Sequence, residues 1–231
     1  MDEIKFIYFD HVGTLVYIKK DLPTIVYEVL KEFNYNFSFL EVKRAYDSAE
    51  NYWERKYLKA RYKWNKNIAY DYYSFLFDEL GIKEHLDEMI EILYNEWHKR
   101  SGASVYPDVI PCLNYLLMKG KNLGIIAQTI LNEEDFRKER LRKEGLEYYF
   151  SIVITTASIG FEKPDVRLYK KAIELTSYKP NEIMIIGDNY DLDVKVPLSL
   201  GVKAILLDRK GETKYDCPKI NSLLEIDKFI K

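Results

Sequence analysis

At 231 residues and 47% apolar, the chain can build one large domain or two modest ones with separate cores. Lys and Arg total 35 against 37 Asp and Glu, a formal net charge of −2, so no basic field favours nucleic acid. Charges interrupt every long apolar stretch and no secretory pattern opens the sequence, which together point to a cytoplasmic protein without a membrane span.

Ile4 to Phe9 is an apolar and aromatic run broken by one Lys, the composition of a strand buried on both faces of a parallel sheet. Asp10 arrives at its end, and Gly13 follows within three residues. A carboxylate at the carboxyl end of a central parallel strand stands where α/β sheets place ligands. Gly13 lets the backbone turn sharply or approach a ligand closely. From residue 17 the pattern becomes helical. Pro23 starts a helix over Thr24 to Phe33, with Asp21 as candidate cap. Ser38 with Glu41 has the form of a capping box opening a long helix. Along it Val42, Ala45, Tyr46, Ala49, Trp53, Tyr57, Ala60 and Trp64 recur at three- and four-residue steps, one apolar stripe. Asn67 to Leu80, ended by Gly81, and Lys83 to Arg100 add two more helices. Four helices with no strand between them predict a separate helical unit over residues 17–103. The Lys and Arg residues at 55, 56, 59, 61 and 63 offer a grip for an anionic or nucleic-acid ligand, but a solvated face beside the stripe accounts for them equally well.

From Val105 onward, strands and helices alternate. Helices are predicted over Pro111 to Met118, Asn132 to Glu144, Val166 to Leu175, shortly before Gly201, and over Leu223 to Ile230. Strands are predicted over Leu123 to Ala127, Ile152 to Thr155, Ile183 to Ile186 and Ala204 to Leu207. Such alternation means right-handed βαβ units and an α/β parallel-sheet core, formed by residues 1–16 and 104–231. Cys112 and Cys217 sit in unrelated contexts, and His11, His85 and His98 are scattered, so neither makes a metal spacing.

Strand ends then bring polar groups to one edge: Asp10, the Ala127-Gln128-Thr129 corner, Lys163, and Asp188 with Asp193. Converging carboxylates repel unless a cation such as Mg²⁺ sits among them. An aspartate nucleophile, a hard cation and a lysine together suit phosphoryl transfer. Asp193 also reads as a helix cap.

The order Asp10-x-Val12-Gly13-Thr14-Leu15, Leu123-Gly124-Ile125-Ile126-Ala127-Gln128, Gly160-Phe161-Glu162-Lys163-Pro164-Asp165 and Ile185-Ile186-Gly187-Asp188 with Asp193 resembles the haloacid dehalogenase superfamily over the whole chain. The resemblance implies a Rossmann-like three-layer parallel sheet with an all-helical cap inserted after the first motif. It implies Asp10 as nucleophile, Thr14 as the hydroxyl that steadies the first motif, and Lys163 as the screen for nucleophile and phosphate. It assigns Mg²⁺ to Asp10, the Val12 carbonyl, Asp188 and Asp193, and a small phosphorylated molecule as substrate.

Two positions depart from the pattern. Val12 stands where the family's phosphatases carry an Asp general acid, a contribution worth about 10²–10⁴-fold. Ala127 replaces a Thr or Ser donor worth about 10²–10³-fold, for which the Gln128 amide and, two residues on from Ala127, the Thr129 hydroxyl are the candidate substitutes. His11 is adjacent and titratable, but alternation along a strand turns it away. The expected function is an Mg-dependent phosphohydrolase, weak or restricted to good leaving groups. A 2-haloacid dehalogenase and a catalytically impaired binding protein are the alternatives.

Overall fold

The computed structural model describes residues 3–58, 66–129 and 131–230. In chain order the core strands are β1 (Phe6–Phe9), β2 (Val16–Tyr17) and β3 (Ser104–Val105), then β4 (Asn122–Ala127), β5 (Ile152–Thr155), β6 (Ile183–Gly187), β7 (Lys203–Leu207) and β8 (Lys219–Ile220). The helices are α1 (Leu22–Glu32), α2 (Phe39–Trp53), α3 (Lys66–Glu79) and α4 (Leu86–Ser101), then α5 (Val109–Met118), α6 (Glu133–Phe136), α7 (Thr156–Ile159), α8 (Val166–Thr176) and α9 (Lys195–Ser199).

Six strands form one parallel sheet in the order β5-β4-β1-β6-β7-β8. β1 is central, and every one of its residues is buried, because its side chains enter a different apolar layer on each face. Ile7 and Phe9 join Leu113 and Leu116 of α5 on one side. Phe6 and Tyr8 join Leu168, Tyr169 and Ala172 of α8 on the other. Helix, sheet and helix are the three layers of a Rossmann-like α/β fold. The chain runs from β1 outward to β4 and β5, then crosses to β6 on the opposite side of β1. That reversal makes the carboxyl end of β1 a topological switch point, the usual ligand position in an open α/β sheet.

The chain divides into two compact units, residues 1–17 with 104–231, and residues 18–103. Tyr17 belongs to the sheet unit because β2 pairs antiparallel with β3, a two-stranded ribbon the sequence does not announce. The helical unit has its own core: Ile25, Val29, Leu30, Val42, Ala49, Leu76, Phe77, Met89 and Leu93. Asp21 and Ser38 cap α1 and α2, the latter through a complete capping box with Glu41. The long helix expected from Ser38 ends at Trp53 and opens into a wider π turn over Glu54–Leu58. Ala60, Trp64 and the basic residues at 59, 61 and 63 lie outside the described residues. Arg55 donates to the Asn51 carbonyl (3.1 Å), and Lys56 pairs with Asp71 (3.0 Å). The helix expected over Leu223 to Ile230 is a 3₁₀ helix over Leu223–Lys228. Leu223 and Ile226, three residues apart, fall on one side of that tighter spiral, and both are buried in the sheet unit's core. No helix among the described residues is long and apolar enough to cross a membrane.

Candidate active site

Register builds the site. Phe9 lies opposite Ile125 on one side and Ile186 on the other, so β6 runs one residue past the end of β1. Asp10 therefore leaves β1 beside Asp188, which leaves β6, and the Asp10 amide donates to the Ile186 carbonyl at 2.9 Å. One oxygen from each of Asp10, Asp188 and Asp193 lies within 4.8 Å of the other two. Lys163, beyond α7, enters the cluster buried, its ammonium 2.5 Å from Asp10 Oδ1 and 2.7 Å from Asp193 Oδ1.

Two glycines permit this crowding. Gly13 has φ +93°, a left-handed conformation, and a Cβ there would collide with the Asp188 carboxylate. A Cβ on Gly187 would collide with Asp193. Thr14 is fully buried, and its hydroxyl reaches Asp188 Oδ1 at 3.4 Å. Asp193 is no cap for its own turn. Its Oδ2 accepts from the Asn189 amide at 3.1 Å, while the Asn189 side chain caps the turn through the amides of Asp191 and Leu192.

Burial works against the charge on Lys163, but Asp10 and Asp193 overcome it and hold the ammonium firmly protonated. Burial, Asp10 and Asp193 together push the Asp188 carboxyl up to about 6, although one side of the residue meets solvent. Asp193 is raised too, by burial first. No basic side chain pairs with Asp188 among the described residues. Three carboxylates against one ammonium leave the cluster two negative charges in excess. An all-oxygen donor set with that excess suits a hard divalent cation.

The other expected residues fall differently. Val12 turns its side chain outward, 39% exposed. Ala127 is buried at the end of β4. Gln128 is exposed and makes no side-chain hydrogen bond among the described residues. The Thr129 hydroxyl accepts from the Leu131 amide at 3.2 Å, within its own turn. His11 is buried against Phe136, with Nε2 2.8 Å from Glu144 Oε2, turned from the carboxylates as strand alternation requires. Sequence reading did not find Arg209, whose guanidinium grips both Asp108 and the Thr14 carbonyl. The available signal was a basic residue just past the carboxyl end of a core strand.

The central strand thus ends at the switch point in a carboxylate, flanked by a buried lysine and two further acids, and the comparisons place this arrangement among the hydrolases. The family model for haloacid dehalogenase-like hydrolases matches residues 7–207, and the chain belongs to that family. It is 30% identical to a phosphoserine phosphatase from Thermus thermophilus over 129 residues, 56% of this chain and 49% of that protein. The chain spans about half the length of the first curated relatives it matches. A solved HAD phosphatase from Thermococcus onnurineus is 26% identical, with a TM-score of 0.67 and 97% of each chain covered. A 2-haloacid dehalogenase from Pseudomonas syringae pv. Tomato DC3000 superposes equally well, at TM-score 0.69, 19% identity and 97% coverage of each. At that identity the likeness concerns the fold alone, so the choice between the two chemistries rests on the site.

Proposed function

We propose that the chain is a magnesium-dependent phosphohydrolase acting through Asp10 on a small phosphorylated substrate whose leaving group departs without a proton. The observation that carries this reading is Asp188: a carboxylate crowded by two others, pushed up to about 6, with no cationic partner among the described residues. Halide displacement by an aspartate gives no reason to assemble that excess of charge. Phosphoryl transfer does, because a divalent ion there neutralises the phosphate oxygens and lowers repulsion toward the nucleophile. Asp10, Asp188 and Asp193 would hold it, with the Val12 carbonyl as the fourth protein ligand implied by the family pattern. The phosphatase relatives support the same substrate class.

The chain's own groups then divide the work. Lys163 fixes Asp10 by Oδ1 and offers positive charge to the incoming phosphate. An Asp10 oxygen attacks phosphorus, the bond to the leaving oxygen breaks with its electron pair, and Asp10 becomes an aspartyl phosphate. Water then attacks that phosphorus, releasing phosphate and restoring the carboxylate. Val12 has no proton to give, so an alkoxide leaves poorly and an acyl carboxylate leaves readily.

Purified protein assayed with Mg²⁺ should hydrolyse acetyl phosphate and, more slowly, p-nitrophenyl phosphate, with an alkyl phosphate such as glycerol phosphate slowest. Turnover should vanish in EDTA and in Asp10→Asn. A folded protein inactive on all three refutes the reading. Halide release from a 2-haloacid in EDTA would replace it with dehalogenase chemistry.

A further inference from the structure

Arg209 lies two residues past β7, on a turn tied by the Asp208 carboxylate, which accepts from the amides of Glu212 (3.1 Å) and Thr213 (2.9 Å). Its guanidinium forks onto Asp108, Nη1 to Oδ2 at 2.9 Å and Nη2 to Oδ1 at 3.0 Å. Nη2 also donates to the Thr14 carbonyl at 2.8 Å. The plane of the group stacks on the Tyr106 ring, 3.7 Å from its centroid. Asp108 is itself pinned by the Ser222 hydroxyl (2.8 Å) and the Leu223 amide (2.9 Å). Burial acts to raise the Asp108 carboxyl, yet Arg209 and these donors hold it below the ordinary carboxylate range, so the carboxylate is charged near neutrality.

What the fork holds is the turn after β1. Thr14 is the residue whose hydroxyl meets Asp188, and the turn around it closes on itself: Gly13 donates to Val16, while Leu15 and Val16 donate to His11. Among the described residues, Arg209 makes the hydrogen bond that holds the Thr14 carbonyl. Arg209 Nε is buried without a partner, so the residue leaves one donor unmade while both Nη groups are engaged. A half-buried cation with one donor unmade is weak evidence of a purely stabilising role.

We infer that Arg209 is a positioning residue for the hydrolytic site: braced by Asp108, it fixes the Thr14 peptide, and through the Thr14 hydroxyl it sets the place of Asp188. The inference rests on the phosphohydrolase reading for its catalytic consequence, but not for its structural one. Lysine keeps the charge yet cannot fork Asp108 and reach the Thr14 carbonyl together.

The test is Arg209→Lys, with Asp108→Asn as the second variant should the first fold poorly. Amide hydrogen exchange over residues 13–16 should quicken roughly tenfold, the scale of one lost charge-assisted hydrogen bond. Half-saturating Mg²⁺, read by calorimetry and by acetyl phosphate turnover, should rise by a similar factor, and a lysine at 209 should not be rescued by excess substrate. A lowered melting temperature with exchange and Mg²⁺ affinity unchanged overturns the inference, because Arg209 would then be a structural staple. If the unaltered protein neither binds Mg²⁺ nor turns over substrate, the phosphohydrolase reading falls by itself. The exchange measurement still decides Arg209, quickened exchange supporting the brace and unchanged exchange removing it.

Discussion

Gly13 faces Asp188 so closely that a single methyl group on the glycine would occupy the space of the carboxylate. The same residue holds φ +93°, where a side chain is strained whatever the room. Gly13→Ala therefore carries two penalties. Backbone strain should lower stability by about 1–3 kcal/mol, visible as an earlier thermal transition. Displacement of Asp188 should also raise half-saturating Mg²⁺ well beyond what the stability loss explains. Normal metal affinity in that variant would show that Asp188 holds no ion.

Charge excess makes Asp188 and Lys163 opposite cases. No basic side chain among the described residues pairs with Asp188, and the more distant Lys163 only partly offsets its neighbours, so Asp188→Asn relieves repulsion from Asp10 and Asp193. The metal-free variant should melt slightly higher, by up to about 1 kcal/mol because the residue is partly solvated, while Mg²⁺ no longer raises its melting temperature. Lys163 is buried between two carboxylates, and Lys163→Met leaves both unpaired. That change should cost about 3–5 kcal/mol. Calorimetric melts with and without Mg²⁺ check both. Asp188→Asn that destabilises the metal-free protein would contradict the charge account.

The sheet was legible because strands buried on both faces are continuous apolar runs, and polar residues ending those runs belong to the cluster. Asp10 and Asp188 needed only the assumption of parallel strands ending at one edge, whereas Lys163, beyond α7, and Asp193, in the turn after β6, end no strand. Their spacing of a few ångströms is another matter, because it depends on Phe9 aligning with Ile186 rather than a neighbour, and register is a tertiary fact. Long-range polar pairs leave no trace in one sequence. Arg209 meets Asp108 from 101 residues away, and His11 meets Glu144 across 133. Helix interiors give a similar lesson. Asn132 does cap a helix, but after Phe136 it widens into a π turn over Arg137–Leu141 and brings Leu141 into the core, a shift no 3.6-residue period encodes.

The Asp188 carboxyl at about 6 gives the site a defined response to pH. An unfolded aspartate titrates near 3.9, so between about pH 4 and 6 the folded chain keeps a proton that the unfolded chain has released. Stability contributed by this group is therefore present at low pH and lost as pH rises through 6, and Asp193, also raised, acts in the same direction. A cation must displace that proton. The Mg²⁺-induced rise in melting temperature should be large above about pH 7 and shrink steeply below about pH 6. An equal rise at about pH 5 and pH 8 would exclude Asp188 as a ligand.

Val12 offers the most direct trial of the chemistry. Its side chain is 39% exposed in the turn two residues past Asp10, so an aspartate substituted there stays solvated. Val12→Asp introduces a carboxyl able to protonate a departing oxygen, a contribution of about 10²–10⁴-fold where the leaving group needs it. Glycerol phosphate has a basic alkoxide leaving group, so its kcat should rise by a factor in that range. Acetyl phosphate expels a weakly basic carboxylate, so its kcat should change by less than about tenfold, and its own Mg²⁺ requirement should persist. The alkyl phosphate rate should also acquire a fall at high pH as the new acid loses its proton, a limb absent from the acetyl phosphate profile. Equal gains on both substrates would mean that the substitution acts through binding rather than proton transfer. No gain on either, in a folded variant that still binds Mg²⁺, would mean that position 12 does not face the leaving oxygen, and the restriction to good leaving groups would need another cause.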